Sequence, residues 1–336
     1  MSRMLDMLRK LLLLILLVWM AACEPLAPEV TQQVIVITNT PTAISEMPIV
    51  TQTAVFANSV PTRPPTNTPL PTATLPPLPS PTVIDCEEPG GSLFESAFQS
   101  EITGGTVLYN VYLPPCFFRF GRRYPYVILL HGSGYRYDQW ADLGIQEVMD
   151  AGIANQILPP MVVIMPDGGD FQENNIFTEG GSYEDIILKE LIPDIERSYC
   201  VWTDARGRAI GGISRGGFWA YSIGFRNPGL FASIGGHSPW FVPNNAPNTH
   251  NPLALAEFAP QIETLRMYLD NSQNDSGGAN VVIFSNELSQ RGIAHTYTIN
   301  PTGGHNNEYW SAHLQEYLEF YGRNWPLLVE DLPLCQ

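Results

Sequence analysis

An α/β domain on a mostly parallel sheet, with helices on both faces and an antiparallel hairpin at its start, is the fold class the sequence predicts. Three observations carry this. Short apolar runs without polar alternation recur along the chain, the pattern of strands covered on both faces. Each run is followed by a stretch bearing helix start or stop signals. The roughly 250 residues from Asp85 to Gln336 suit one large core better than two small ones.

Taken in order, Leu93 to Ser100 and Val107 to Leu113 read as a hairpin turning at Gly104-Gly105. Tyr124 to Leu130 (YPYVILL) is a buried strand, followed by a helix from about Trp140 to Ala154 and a second buried strand, Met161 to Met165. The pair Ser182 and Asp185 opens a helix from Tyr183 to Tyr199. Arg208 to Ile213 is the next strand, and Gly217 to Arg226 a helix stopped by Asn227-Pro228-Gly229. Phe231 to Gly235, Leu265 to Leu269 and His295 to Ile299 are further strands, with helices expected over Asn280 to Arg291 and Glu308 to Gly322. Such βα alternation feeds a parallel sheet.

Two segments precede the domain. In residues 1–23, Arg3, Arg9 and Lys10 lead into the apolar run Leu11 to Met20, which is too short to cross a bilayer and reads as a signal peptide. Ala21-Ala22-Cys23 resembles the lipobox of bacterial lipoproteins, which implies that Cys23 becomes an acylated N-terminus. The expected location is extracytoplasmic and membrane-anchored, at the cell surface or in the periplasm. Residues 24–84 are rich in Pro and Thr and read as a disordered linker, able to reach on the order of 100 Å as polyproline. Residues 85–336 form the globular domain.

The net charge of −16 falls entirely on that domain, because leader and linker balance one another. So acidic a surface repels phosphate backbones and argues against nucleic-acid partners. Besides Cys23 the chain holds Cys86, Cys116, Cys200 and Cys335, an even number whose spacing fits no zinc site. The hairpin would bring Cys86 near Cys116, so the expected bridges are Cys86 with Cys116 and Cys200 with Cys335.

Gly212-Ile213-Ser214-Arg215-Gly216 sits where the Arg208 to Ile213 strand meets its helix, the setting of a nucleophile elbow. The glycines are required because the turn is strained and neighbouring backbone crowds it. A serine hydroxyl needs a base, and His305 follows the last strand in a flexible Thr302-Gly303-Gly304 loop that can carry its ring over Ser214. His131 opens a loop and reads as a backbone organiser. A carboxylate must hold the imidazole tautomer; Asp275 lies out in the loop after the Leu265 to Leu269 strand, with Asp270 at the strand end as the alternative. For the oxyanion, Arg215 N–H and an N–H of His131-Gly132-Ser133-Gly134 are expected, Ser133 first and Gly134 as alternative. Arg215 brings a cation to a helix N-terminus, which calls for a compensating acid or an anionic substrate.

The segments Val111-Tyr112-Leu113-Pro114-Pro115, Leu130-His131-Gly132, Met165-Pro166-Asp167-Gly168, Glu190-Leu191-Ile192-Pro193, Gly212 to Gly217, Tyr268-Leu269-Asp270 with Asp275, and Gly303-Gly304-His305 with Trp310 resemble the putative esterase family of α/β-hydrolases. That family includes feruloyl and acetylxylan esterases, S-formylglutathione hydrolase, enterochelin esterases and mycolyltransferases. The resemblance implies a serine carboxylesterase with Ser214, Asp275 and His305 as triad, Ser133 and Arg215 as oxyanion residues, and no metal or organic cofactor. Arg215 departs from the Met usual after the serine, and Asn271-Ser272 replace the usual Val-Gly before the acid. An ester of an acylated or feruloylated polysaccharide is the expected substrate by analogy. The rival readings are an acyltransferase of the same fold and a catalytically silent carbohydrate-binding module using Trp219, Trp240 or Trp310.

Overall fold

Tyr126-Val127-Ile128-Leu129-Leu130 offers water no polar side chain apart from one phenol, and it forms a strand with all five residues buried near the middle of the sheet. The computed structural model describes residues 86–241 and 246–335, together with the backbone of 33–37. Its strands are β1 (Gln33–Ile37), β2 (Ser92–Ser100), β3 (Gly105–Leu113), β4 (Tyr126–Leu130), β5 (Val162–Pro166), β6 (Arg208–Ile213), β7 (Ser233–His237), β8 (Arg266–Ser272) and β9 (His295–Asn300). They form one sheet in the order β1-β9-β8-β7-β6-β4-β5-β3-β2. Every pairing from β5 across β4, β6, β7 and β8 to β9 is parallel, whereas the β2–β3 hairpin and the β3–β5 contact are antiparallel.

Strand alternation divides the core. Tyr126, Ile128 and Leu130 join one apolar cluster with Phe218, Trp219, Ile223 and Phe225 of the helix Arg215–Arg226. Val127 and Leu129 join the other, with Ile145, Met149, Leu314, Tyr317 and Leu318 of the helices Ile145–Ala154 and Leu314–Gly322. Alternate residues of one strand point to opposite faces, so helices cover both sides of the sheet.

Several elements differ from expectation for identifiable reasons. The helix expected from Trp140 breaks into Gln139–Asp142 and Ile145–Ala154 at Gly144, whose φ of 96° is outside the helical region. The helix opened by the capping box of Ser182 and Asp185 widens into a π-helix over Ile186–Leu191 before resuming at Ile192–Ser198. Pro193, just beyond the wide turn, has no N–H for a regular helical bond. The last helix divides at His313. The strand expected over Phe231 to Gly235 starts two residues later and runs on through Gly236 to His237. The Tyr321 hydroxyl occupies the space that a Cβ on Gly211 or Gly235 would need. The helix Pro252–Phe258, capped by the Asn251 side chain, carried no expectation.

Cys86 is bonded to Cys116 and Cys200 to Cys335, with Cα–Cα separations of 5.8 and 6.0 Å. Within the stretch assigned to the linker, Gln33–Ile37 forms an antiparallel edge strand beside β9; its sequence QVIVI is rich in β-branched residues. The leader, Cys23 and the rest of 24–84 lie outside the described residues.

Candidate active site

Parallel strands bring their carboxyl ends to one edge, where loops from neighbouring strands meet. β4 leads into His131-Gly132-Ser133-Gly134, β6 into Ser214, β8 into the loop holding Asp275, and β9 into the loop holding His305. Leu130 pairs with Gly212, so the loop after β4 starts beside the turn after β6.

Ser214 adopts φ 52° and ψ −112°, a conformation a side chain seldom tolerates. Its N–H donates to the His237 carbonyl at 3.0 Å, and its own carbonyl accepts from Trp240 N–H at 2.9 Å and Phe218 N–H at 3.1 Å. A Cβ on Gly212 would overlap the backbone of Gly216, and one on Gly216 would overlap the carbonyl oxygens of Leu130 and His131. The two glycines therefore let the turn close against β4.

Ser214 Oγ lies 2.8 Å from His305 Nε2, and His305 Nδ1 lies 3.1 and 3.0 Å from the two oxygens of Asp275. The His305 ring meets Trp240 and Trp310 edge to face, with centroids 5.4 and 5.1 Å away. Asp275 also accepts the Gly277 N–H at 2.7 Å. Burial pushes its carboxyl up, but the bonds from His305 and Gly277 outweigh this and hold it below the usual carboxylate range.

Asp270, the alternative acid, belongs to another network. It is fully buried in β8 and accepts from the hydroxyls of Tyr309 at 2.5 Å and Tyr317 at 2.9 Å, with His237 Nδ1 at 3.3 Å. Burial pushes the His237 imidazole down in spite of Asp270 beside it. Tyr309 follows His305 by four residues and also accepts from Asn300 Nδ2 at 2.7 Å, so this network fastens both flanks of the His305 loop.

The loop after β4 has almost every polar group engaged. His131 Nδ1 contacts the Gly132 carbonyl at 2.8 Å, while Nε2 accepts the Gly168 N–H at 2.9 Å, which fixes the proton on Nδ1. Gln172 Nε2 donates to the His131 carbonyl at 2.5 Å, and Gly132 N–H donates to Gln139 Oε1 at 2.7 Å. Gly134 N–H donates to Glu173 Oε1 at 2.7 Å, which removes it as an oxyanion donor. Among the described residues no acceptor takes the N–H of Ser133 or that of Arg215. His131 is thus the backbone organiser the sequence suggested.

Arg215 has the acid its position called for. Its Nε is 3.8 Å from Glu173 Oε2, and Nη1 donates to Asn175 Oδ1 at 2.7 Å. Neither partner was legible in the sequence, since both act across forty residues from an irregular region. The site opens on a cleft of about 380 Å³ lined by Gly132, Ser133, Tyr135, Ser214, Arg215, Trp240, His305 and Trp310. Of the three tryptophans considered as sugar platforms, Trp219 is wholly buried against Phe177 and Tyr183 and cannot serve.

Residues 100–321 match the family described as "Putative esterase". The chain belongs to this family. An esterase of Mycobacterium tuberculosis is 32% identical over 162 residues, covering 46% of this chain and 34% of that protein. An endo-1,4-beta-xylanase/feruloyl esterase of Xylanibacter ruminicola is 33% identical over 157 residues, covering 43% of this chain and 21% of that protein. The matches thus span about a third or less of these curated relatives. Among solved structures, a ferulic acid esterase superposes with a TM-score of 0.64 at 23% identity, covering 70% of this chain and 98% of its own. The S-formylglutathione hydrolase of Staphylococcus aureus gives 0.60 at 18% identity, covering 69% and 98%. The fold is that of the α/β-hydrolase esterases.

Proposed function

We propose that the domain is a serine carboxylesterase held outside the cytoplasm by an acylated Cys23. The observation that carries this reading is the unbroken relay from Ser214 Oγ through His305 to the buried Asp275. His305 Nε2 takes the Ser214 proton as Oγ bonds to the ester carbonyl carbon, and Asp275 holds the other nitrogen and stabilises the imidazolium. The oxyanion is met by the N–H groups of Ser133 and Arg215. His305 then returns the proton to the departing alkoxide, leaving an acyl-Ser214 that a water, deprotonated by the same imidazole, hydrolyses to the acid.

The aromatic cleft walls Tyr135, Trp240 and Trp310 favour a flat acyl group, and the similarity to feruloyl esterases supports an aromatic acyl ester on polysaccharide. A fluorophosphonate probe should label the wild-type chain and leave Ser214→Ala unlabelled; equal labelling of both would remove the assignment. Incorporation of a palmitate analogue into wild type but not Cys23→Ser checks the tether, and incorporation into both would refute it.

A further inference from the structure

Glu173 ends the short helix Gly169–Glu173 and joins the two segments that carry the free N–H groups of the site. Its Oε2 accepts the Ser133 hydroxyl at 2.6 Å, and its Oε1 accepts the Gly134 N–H at 2.7 Å. The same carboxylate lies 3.8 Å from Arg215 Nε, a buried atom with no hydrogen-bond acceptor among the described residues. Two residues on, Asn175 holds the other side of the guanidinium from a left-handed backbone position of φ 50°. We propose that Glu173 is a positioning residue of the oxyanion hole, clamping the Ser133-Gly134 turn to Arg215 and masking the arginine's charge from the acyl group. This rests on the serine-esterase reading of the site.

Without the carboxylate, the Gly134 N–H is released and the Ser133 hydroxyl loses its acceptor, so the turn is free to rotate Ser133 N–H away from the carbonyl oxygen. The electrostatic consequence is separate. A carboxylate beside the oxyanion opposes its charge, and Arg215 offsets that opposition while itself destabilised by the N-terminus of its helix. Each charge is tolerable because the other is present. With both in place the cleft presents little net charge at this wall and suits uncharged acyl groups.

The test uses the full chain with Glu173→Ala and Glu173→Gln, rates being divided by the fraction of sites titrated with a fluorophosphonate. On 4-nitrophenyl butyrate, Glu173→Ala should lower kcat by about tenfold or more with little change in KM, short of the hundredfold typical of losing an oxyanion donor outright. Its affinity for phenylboronic acid, which binds a nucleophilic serine as a tetrahedral anion, should fall in parallel. Glu173→Gln should recover part of that kcat, because an amide still accepts the Gly134 N–H. It should also raise the kcat/KM of mono-4-nitrophenyl succinate relative to butyrate by about fivefold, the worth of one unmasked, partly exposed charge. A merely structural role would lower the titrated fraction and leave the per-site kcat, the boronate affinity and the charge preference as in wild type, and that result overturns the proposal. Should Glu173→Ala fail to fold, an unchanged charge preference in Glu173→Gln overturns it alone. Failure of the probe to label wild-type Ser214 would instead remove the esterase reading.

Discussion

Asp275→Asn exchanges one carboxylate oxygen for an amide nitrogen at nearly constant volume, and the surroundings of Asp275 determine which way the new group faces. In the wild type Oδ1 accepts the Gly277 N–H at 2.7 Å, while both oxygens lie within 3.1 Å of His305 Nδ1. The introduced amide keeps its oxygen on Gly277 and turns its NH2 toward Nδ1, which must then accept. The imidazole proton moves to Nε2, which faces Ser214 Oγ at 2.8 Å as a donor and no longer as a base. Inverting the tautomer in a serine triad costs about 10⁴ in kcat, or about 5.5 kcal/mol of transition-state stabilisation. The assay is pre-steady-state acylation by a 4-nitrophenyl ester, alongside thermal melting to show that the variant is folded. A folded variant that loses less than about tenfold would refute the tautomer argument, and with it the pairing of Asp275 with His305 as a working unit.

Two further outcomes concern stability. Cys200–Cys335 closes 135 residues and Cys86–Cys116 closes 30, so loop entropy gives upper limits of about 5 and about 3.6 kcal/mol for their removal. Thermal melting of Cys200→Ser/Cys335→Ser should therefore show the larger drop in Tm than Cys86→Ser/Cys116→Ser, and the reverse order would refute the entropic ranking. His250 is pushed down to about 4 by burial and by the charge of Arg226. Below its unfolded pKa near 6.5 the unfolded chain takes up a proton that the folded chain refuses, so stability falls as pH drops from about 6.5 to 4 and this loss ends below 4. It amounts to at most ~3 kcal/mol, reduced by the water that reaches the ring. His250→Gln should flatten the curve of Tm against pH in that window, and parallel curves for variant and wild type would refute the attribution.

Much of the site was legible because its parts are local signatures. The elbow glycines, the strand ends and the loop after β4 each announce themselves within a few residues. Ser214, Asp275, His305, Ser133 and Arg215 therefore come together from a linear reading. What stayed hidden depends on contacts between distant segments. The reason a strand tolerates Gly235 shows only when Tyr321, some eighty-five residues on, is seen filling the space beside it. Asp270 looks like an alternative acid for the triad until Tyr309 and Tyr317 are seen donating to it. Glu173 shows no signal at all, since nothing in the sequence tells that a short helix after β5 ends beside Ser133. The π-helix at Ile186–Leu191 had a visible cause in Pro193, but sequence periodicity does not distinguish a wide turn from a regular one.

The loop after β4 has one further consequence, for how the enzyme would spend substrate binding. The carbonyls of His131 and Gly132 and the amides of Gly132 and Gly134 are satisfied before any ligand arrives, by Gln139, Gln172, His131 and Glu173, which leaves the Ser133 N–H free among the described residues. Folding has thus already met the cost of arranging these dipoles, and no remote contact with a substrate is needed to assemble them during turnover. A small soluble ester and a bulky one would then pass the chemical step at similar speed, and the bulkier substrate would be recognised through how long it stays.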